Sequence, residues 1–244
     1  MKKFKISFLL LILTSILTPF LQSCLDDNDN YYLAMATFRT TEGHDNYFTL
    51  DDGEKMYPQQ TTFGKLEDGQ RVYIYFDILD ENVNGYKYNI KVRGIEKILT
   101  KELFVMNEET ADSIGDDKIN ITSIWFGDDY LNIRFQFLGT RNPAELHMIN
   151  LVRNDMEGAD EEEEEGYIGL EFRHNAFDDH QRVILNGIVS FKGPFTKEGM
   201  KGLKVRYNSI DDGVKYAKID FTKESAEQNF STSSATTTGT SIAY

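Results

Sequence analysis

A single cysteine occurs in 244 residues. No disulfide can form within the chain, which excludes a small scaffold stapled by disulfides. Proline is scarce, at four residues, so a proline-rich extended architecture is excluded too. Basic residues are in deficit: 26 Lys and Arg stand against 40 Asp and Glu, a formal charge of −14. Phosphate backbones repel such a chain, because nucleic-acid binding needs clustered Lys and Arg, so nucleic acid is not a partner. An anionic membrane surface offers it no electrostatic attraction either. Motifs are missing as well. There is no G-x-S-x-G elbow, no Walker loop and no dinucleotide fingerprint. With no reactive cysteine and no cofactor motif, no cofactor, no catalytic residue and no enzymatic activity are expected.

What is present is material for a β-rich core. Hydrophobic residues make up 40% and aromatic residues 13%, with 13 Tyr and 17 Phe. Period-2 alternation dominates. Val72, Ile74, Phe76 and Ile78 share one strand face, with Tyr73 and Tyr75 opposite. Leu131, Ile133, Phe135 and Phe137 alternate with Asn132, Arg134 and Gln136. Ile168, Leu170 and Phe172 repeat the pattern, as do Leu203, Val205 and Tyr207. Asp52-Gly53, Asp68-Gly69, Asn84-Gly85, Gly127-Asp128-Asp129, Asn186-Gly187 and Asp212-Gly213 read as turns, and Asn84-Gly85 is the clearest hairpin. Short helices are expected over Glu108–Ile114 and Thr196–Lys201. The fold class is all-β, and about a dozen strands imply two β domains. The first covers residues 31–101 and the second residues 102–223. Asp112 to Asp117 reads as a connector. Asp155 to Gly166, which holds Glu161 to Glu165, reads as a solvated loop. A Ser/Thr-rich tail over residues 224–244 has too little to bury to fold.

The one cysteine lies where the N-terminal apolar run meets acids. Lys2, Lys3 and Lys5 precede Ile6–Phe20, a run of 15 residues. At ~1.5 Å per residue it is too short for a bilayer core ~30 Å thick, and it suits the core of a secretory signal peptide, residues 1–23. Leu21-Gln22-Ser23-Cys24 resembles a bacterial lipobox, although Gln22 stands where a small residue is usual. In that class of signal the cysteine thiol takes a diacylglyceryl group and its freed amine is acylated, commonly with palmitate. Several chains on one residue hold a membrane firmly, where a single chain binds only marginally. Cys24 is therefore the expected lipidation site and the membrane partner is the anchor itself. Cleavage would remove three lysines and no acid, taking the charge from −14 to −17. Residues 24–30 form an acidic tether. They resemble the signals that send lipoproteins of some Gram-negative anaerobes to the outer leaflet, so an outer-membrane, surface-exposed location is expected, with the periplasmic face as the alternative.

Few residues point to a site. Arg173-His174-Asn175-Ala176-Phe177-Asp178-Asp179-His180 packs two histidines, two aspartates and an arginine into eight positions. His and carboxylate groups are the donors zinc accepts, and such a pair can also act as acid and base. A strand end with a polar turn explains the same residues and is the favoured reading, so no metal is assigned. A ligand or partner surface at Arg173, His174, Asp178, Asp179 and His180 is the other possibility. His147 in "ELHMINLV" reads as a hydrogen-bonded histidine of the core, and His44 as a loop residue without a role. Trp125 in "SIWFGDD" either fills a core or stacks on a sugar ring. Tyr73, Tyr75, Tyr86 and Tyr88 are candidates for an aromatic face that takes a glycan or a peptide.

Five stretches carry a family resemblance: "DGQRVYIYFDIL", "GYKYNIKVRGIEKILTK", "SIWFGDDYLNIRFQF", "ELHMINLV" and "LEFRHNAFDD". With the lipobox and its acidic follow-on, they resemble the NigD-like lipoproteins. The resemblance implies an N-terminal OB-like barrel followed by a C-terminal β-sandwich. It also implies a link to bacteriocin immunity, with no catalytic residues attributed. A non-enzymatic lipoprotein that binds another envelope protein is the leading expectation. A glycan-binding module is the second, and a hydrolase built on Arg173 to His180 the third.

Overall fold

The computed structural model describes residues 31–41, 46–60, 63–142, 144–157, 164–179, 183–221 and 231–233. The expectations for residues 1–30, Cys24 included, and for His44 and His180 lie outside the described residues. The first sheet holds β1 (Tyr31–Thr40), β2 (Asn46–Leu50), β3 (Lys55–Pro58), β4 (Arg71–Val83) and β5 (Tyr86–Lys97). Its order is β1-β2-β3-β5-β4, and β1 also pairs with β4, so the sheet closes on itself. β3 and β5 run parallel and the other pairs of the barrel antiparallel. This is the five-stranded OB-like barrel. The alternation in the sequence fills it. Ala36, Phe38, Phe48, Leu50, Met56, Val72, Ile74, Phe76 and Ile90 face inward, and Phe63 and Leu66 pack on them from the β3–β4 connection. Asn84-Gly85 turns the β4–β5 hairpin with φ of 54° and 83°, the left-handed pair that a two-residue turn of this kind needs.

The second body is a β-sandwich. Its strands are β6 (Leu99–Glu102), β7 (Phe104–Met106), β8 (Ile119–Gly127), β9 (Tyr130–Gly139), β10 (Met148–Asn154), β11 (Tyr167–Asn175), β12 (Val183–Lys192), β13 (Gly202–Ser209) and β14 (Gly213–Asp220). They form a five-stranded sheet, β14-β13-β11-β10-β7, and a four-stranded sheet, β6-β12-β9-β8. The predicted inward faces meet between the sheets. Leu131, Ile133, Phe135 and Phe137 of β9 pack against Ile149, Leu151, Leu170, Phe172, Leu203 and Val205 of the facing sheet. Burying each large side chain contributes roughly 1.5–3 kcal/mol. α1 (Glu108–Ile114) forms as expected, with Asn107 as N-cap and Thr110 completing a capping box. Its Ile114 packs with Met106 and Val152. β15 (Ser231–Ser233) pairs with Tyr31–Leu33 of β1; the rest of the tail lies outside the described residues.

Three local expectations change. Asn186-Gly187 is not a turn but the middle of β12, paired with Gln136 and Phe135. A Cβ on Gly187 would sit 2.3 Å from the Phe135 ring, so this glycine makes room for an aromatic lid rather than for a bend. Thr196–Lys201 is not helical. Gly199 has φ +82° and interrupts it, leaving one turn closed by Met200 N–H to the Lys197 carbonyl. Of the expected connector, Asp112 to Ile114 end α1, and the following residues dock tightly on β11. Gly115 has φ +74°, and a Cβ there would lie 2.8 Å from Asn175 Cβ and 2.9 Å from the His174 carbonyl oxygen.

Candidate functional site

The Arg173 to Asp179 cluster divides between the two faces of β11. Alternation points His174 into the sandwich and Arg173 out of it. His174 is 1% exposed and lies on His147, with rings 5.1 Å apart and 14° from parallel, and Phe137 edge-on to both. His174 Nδ1 contacts the Lys118 carbonyl at 3.2 Å, and a carbonyl only accepts, so this nitrogen carries a proton. His174 Nε2 then accepts from His147 Nδ1 at 2.8 Å. His147 Nε2 faces Asp179 Oδ2 at 3.1 Å and donates to it, and the Thr140 N–H donates to the same oxygen at 2.6 Å. His147 thus bridges His174 and the Asp179 carboxylate. Gly139 permits this, because a Cβ would lie 2.9 Å from both His147 Nε2 and Asp179 Oδ2.

Burial, and His147 beside it, push His174 down to about 4. Burial pushes the Asp179 carboxyl up, but the bonds from Thr140 and His147 outweigh it and hold the group below its ordinary range. A nucleophile would have to stand where His174 stands for this to work as a triad, and the trio is closed off from solvent. It ties β10 and β11 to the Ala176–Asp179 turn. His174 and Asp179 therefore do not contribute to a surface, contrary to one of the expectations. Asp178 stays outside on a left-handed turn with φ 68°, beside Phe177, which is 55% exposed. Among the described residues no group of three or more His, Cys, Asp and Glu is placed to hold a metal ion.

Arg173 joins an ion network on the outer face. It pairs with Glu171, and with Asp116 at 3.1 Å, while Arg206 pairs with Asp116 at 3.0 Å and Glu171 at 3.6 Å. The network fastens the chain after α1 to the five-stranded sheet. Next to it a groove of about 430 Å³ opens over the first half of β11, a size that suits a small ligand or a short segment. Gly169 forms its floor, and a Cβ there would meet nothing within 4 Å. Tyr167 and Tyr216 line it, with Lys218 Nζ 5.1 Å from the first ring and Lys204 Nζ 4.4 Å from the second. Phe195, Leu103 and Met200 supply an apolar wall. Sequence reading missed this place, because its residues come from five separated segments.

Trp125 is half-buried where barrel and sandwich meet. Its indole N–H donates to Asp51 Oδ2 at 3.0 Å, and the Arg134 guanidinium lies 5.2 Å from its ring. It thus neither fills the sandwich core nor offers an open stacking face. Asp51 Oδ1 takes the fully buried Arg71 guanidinium at 2.5 Å, and Arg71 also reaches Thr37 at 3.0 Å and Asn132 at 3.3 Å. Of the tyrosines singled out, Tyr88 packs on the barrel core, and Tyr75 donates to Glu96 at 3.0 Å. Tyr86 meets Tyr57 at 5.1 Å and Tyr47 at 6.0 Å. These three join β2, β3 and the β4–β5 hairpin on the barrel wall.

Residues 35–98 match the NigD-like N-terminal OB domain, and residues 102–221 the NigD-like C-terminal beta sandwich domain. The chain belongs to the NigD-like family. Solved structures agree. A Bacteroides vulgatus protein of unknown function is 31% identical to this NigD-like chain, with TM-score 0.68 over 80% of this chain and 93% of the other. A protein described as toxin-related, from Parabacteroides distasonis, is 31% identical with TM-score 0.63, covering 82% and 98%. A NigD-like immunity protein from Bacteroides caccae is 17% identical with TM-score 0.54, covering 77% and 90%, and shares the fold. No curated protein matches the sequence.

Proposed function

We propose that this NigD-like protein is a non-enzymatic lipoprotein, anchored through Cys24 in the outer membrane and exposed at the cell surface, that binds another envelope protein. The groove over Gly169 carries this reading. It is a concave site with aromatic, apolar and cationic walls, and its residues include no activated nucleophile. The His174–His147–Asp179 relay is closed off from it. The lipobox supports the anchor. An immunity-type role, in which the bound protein belongs to a toxin system, is consistent with the descriptions of two relatives.

A mild-detergent pull-down from native outer membranes tests it, with a C-terminal tag and wild type set against Cys24→Ala. A stoichiometric envelope protein captured by wild type and lost from the soluble variant is the expected result. A clean bait would sink the reading. Glycan binding is the second reading, supported by the Tyr47, Tyr57 and Tyr86 cluster on the barrel wall where OB folds take oligomers. Loss of glycan-array binding on Tyr57→Ala would support it, and an array that stays blank for wild type would remove it.

A further inference from the structure

β1 has a stretch of edge that the five barrel strands do not close. Phe38 donates its N–H to the Gln70 carbonyl and accepts from the Gly69 N–H, so its main chain turns to the β4 side. Main-chain groups alternate sides along a strand paired antiparallel, so Tyr31 and Leu33 turn theirs the other way. β2 covers that side of β1 from Ala36 to Thr40. Ahead of it the side is taken by β15, with Leu33 opposite Ser231 and Tyr31 opposite Ser233. Tyr31 and Leu33 are half-buried, and the Tyr31 ring meets Tyr75 edge-on at 5.7 Å.

β15 holds this edge weakly. By the same alternation its main-chain bonds involve the pairs Leu33–Ser231 and Tyr31–Ser233. At about 0.5–1.5 kcal/mol net per bond, they do little more than offset the roughly 1–2 kcal/mol that ordering each residue costs. Cross-strand side-chain pairs would add to this, but a serine has no apolar surface to set against leucine or tyrosine. The edge also lies near the expected anchor along the chain. Seven residues, Cys24 to Asn30, precede Tyr31, at most about 25 Å of extended chain. A strand offered by another membrane-bound protein is within that reach.

We propose that Tyr31–Leu33 is a strand-accepting edge, on which an extended segment of the partner protein replaces β15 and continues the barrel sheet. Residues of that segment opposite Leu33 and Tyr31 share their face of the sheet. The segment therefore carries β-branched or aromatic residues at these two alternate positions, where the chain's own tail has serine. Strand addition of this kind draws affinity from the main chain and specificity from alternate side chains. The inference rests on the reading that this protein binds an envelope protein. β15 is then a resident strand that keeps the edge from pairing with a wrong chain.

The test is fluorescence anisotropy of a labelled peptide, Thr-Val-Thr-Val-Thr-Val-Thr, on the full-length protein in non-ionic detergent. The control is the same peptide N-methylated throughout, which cannot donate to a sheet. Wild type should bind the peptide weakly and leave the control free. Ser231→Pro with Ser233→Pro strips the donors from β15 without touching barrel or sandwich, and should tighten binding about tenfold. Hydrogen exchange locates the contact: the Leu33 amide should exchange faster in the proline variant and slow again when peptide is added. No binding by the proline variant, equal binding of the control, equal affinity of wild type and variant, or protection only away from residues 31–33 overturns the proposal. A wild-type dimer in light scattering that the prolines abolish would give the edge to the tail of a second copy, and overturns it too. The pull-down separates the two readings. A partner retained in excess peptide removes the edge but leaves the function, whereas no partner with wild type removes the function.

Discussion

Asp51 of the barrel accepts the indole N–H of Trp125 of the sandwich at 3.0 Å, and its other oxygen holds the buried guanidinium of Arg71. One carboxylate thus serves both the inside of the first body and its contact with the second. Tyr130 adds to the seam by donating its hydroxyl to the Gly69 carbonyl at 2.6 Å, and Arg39 pairs with Asp128 at 2.6 Å. Asp51→Asn leaves Arg71 charged and uncompensated, which should cost about 3–5 kcal/mol. Urea unfolding measures it, and Trp125 emission should shift to the red in the variant. Replacing Asp51 and Arg71 together by Leu and Met should cost less than Asp51→Asn alone; a larger loss would show that the pair itself, not the orphaned charge, sets the penalty.

Acid should weaken the fold in a defined window. Folded His174 stays neutral down to about 4, whereas unfolded histidine takes a proton near 6.5. Between these values the unfolded chain binds more protons, so stability falls as pH falls. The contribution is complete above about pH 6.5 and gone near pH 4, roughly 3 kcal/mol in all. Asp179 has a depressed folded value, so its contribution is lost only further into acid. Denaturation midpoints of wild type and His174→Gln, compared from pH 4 to 7, check this. Parallel curves would contradict it.

Gly187 should be intolerant of a single methyl. Gly187→Ala drives its Cβ into the Phe135 ring, and overpacking of this kind costs about 1–3 kcal/mol. Phe135→Leu opens the space at a price of its own. The double variant should therefore be more stable than the sum of the two single losses predicts, by about 1 kcal/mol in a mutant cycle. Strict additivity would refute the contact.

Gly139 should be equally sensitive, for an electrostatic reason. Gly139→Ala pushes against both His147 and Asp179 and lengthens the bond between them. The expected loss is about 2 kcal/mol at pH 7, typical of a disturbed buried charged hydrogen bond. The pH slope assigned to His174 should flatten with it, measured in the same denaturation series.

Strand faces and hairpins were legible because they obey local rules. Val72, Ile74 and Phe76 alternate into the barrel, and Asn84-Gly85 and Asp212-Gly213 turn where such pairs turn. Asn186-Gly187 misled because the same dipeptide serves a second purpose, clearance for a ring fifty positions away in sequence. The site was legible only in its members. His147, His174 and Asp179 were each noticed, but nothing local tells that the turn after β11 folds Asp179 back beneath His147. Arg71 attracted no notice at all, since its partners Asp51, Thr37 and Asn132 lie in three other segments. The groove shares this obscurity, being assembled by the parallel neighbours β11 and β13.

The parallel pairing of β6 with β12 has a kinetic side. Leu99 lies opposite Val189, so the first strand of the sandwich waits through about ninety intervening residues for its neighbour, a costly closure. Every strand from β7 to β11 must be made before that sheet can be completed. Until then β6 lacks the neighbour it pairs with, and Leu99 stays open to water and to other chains.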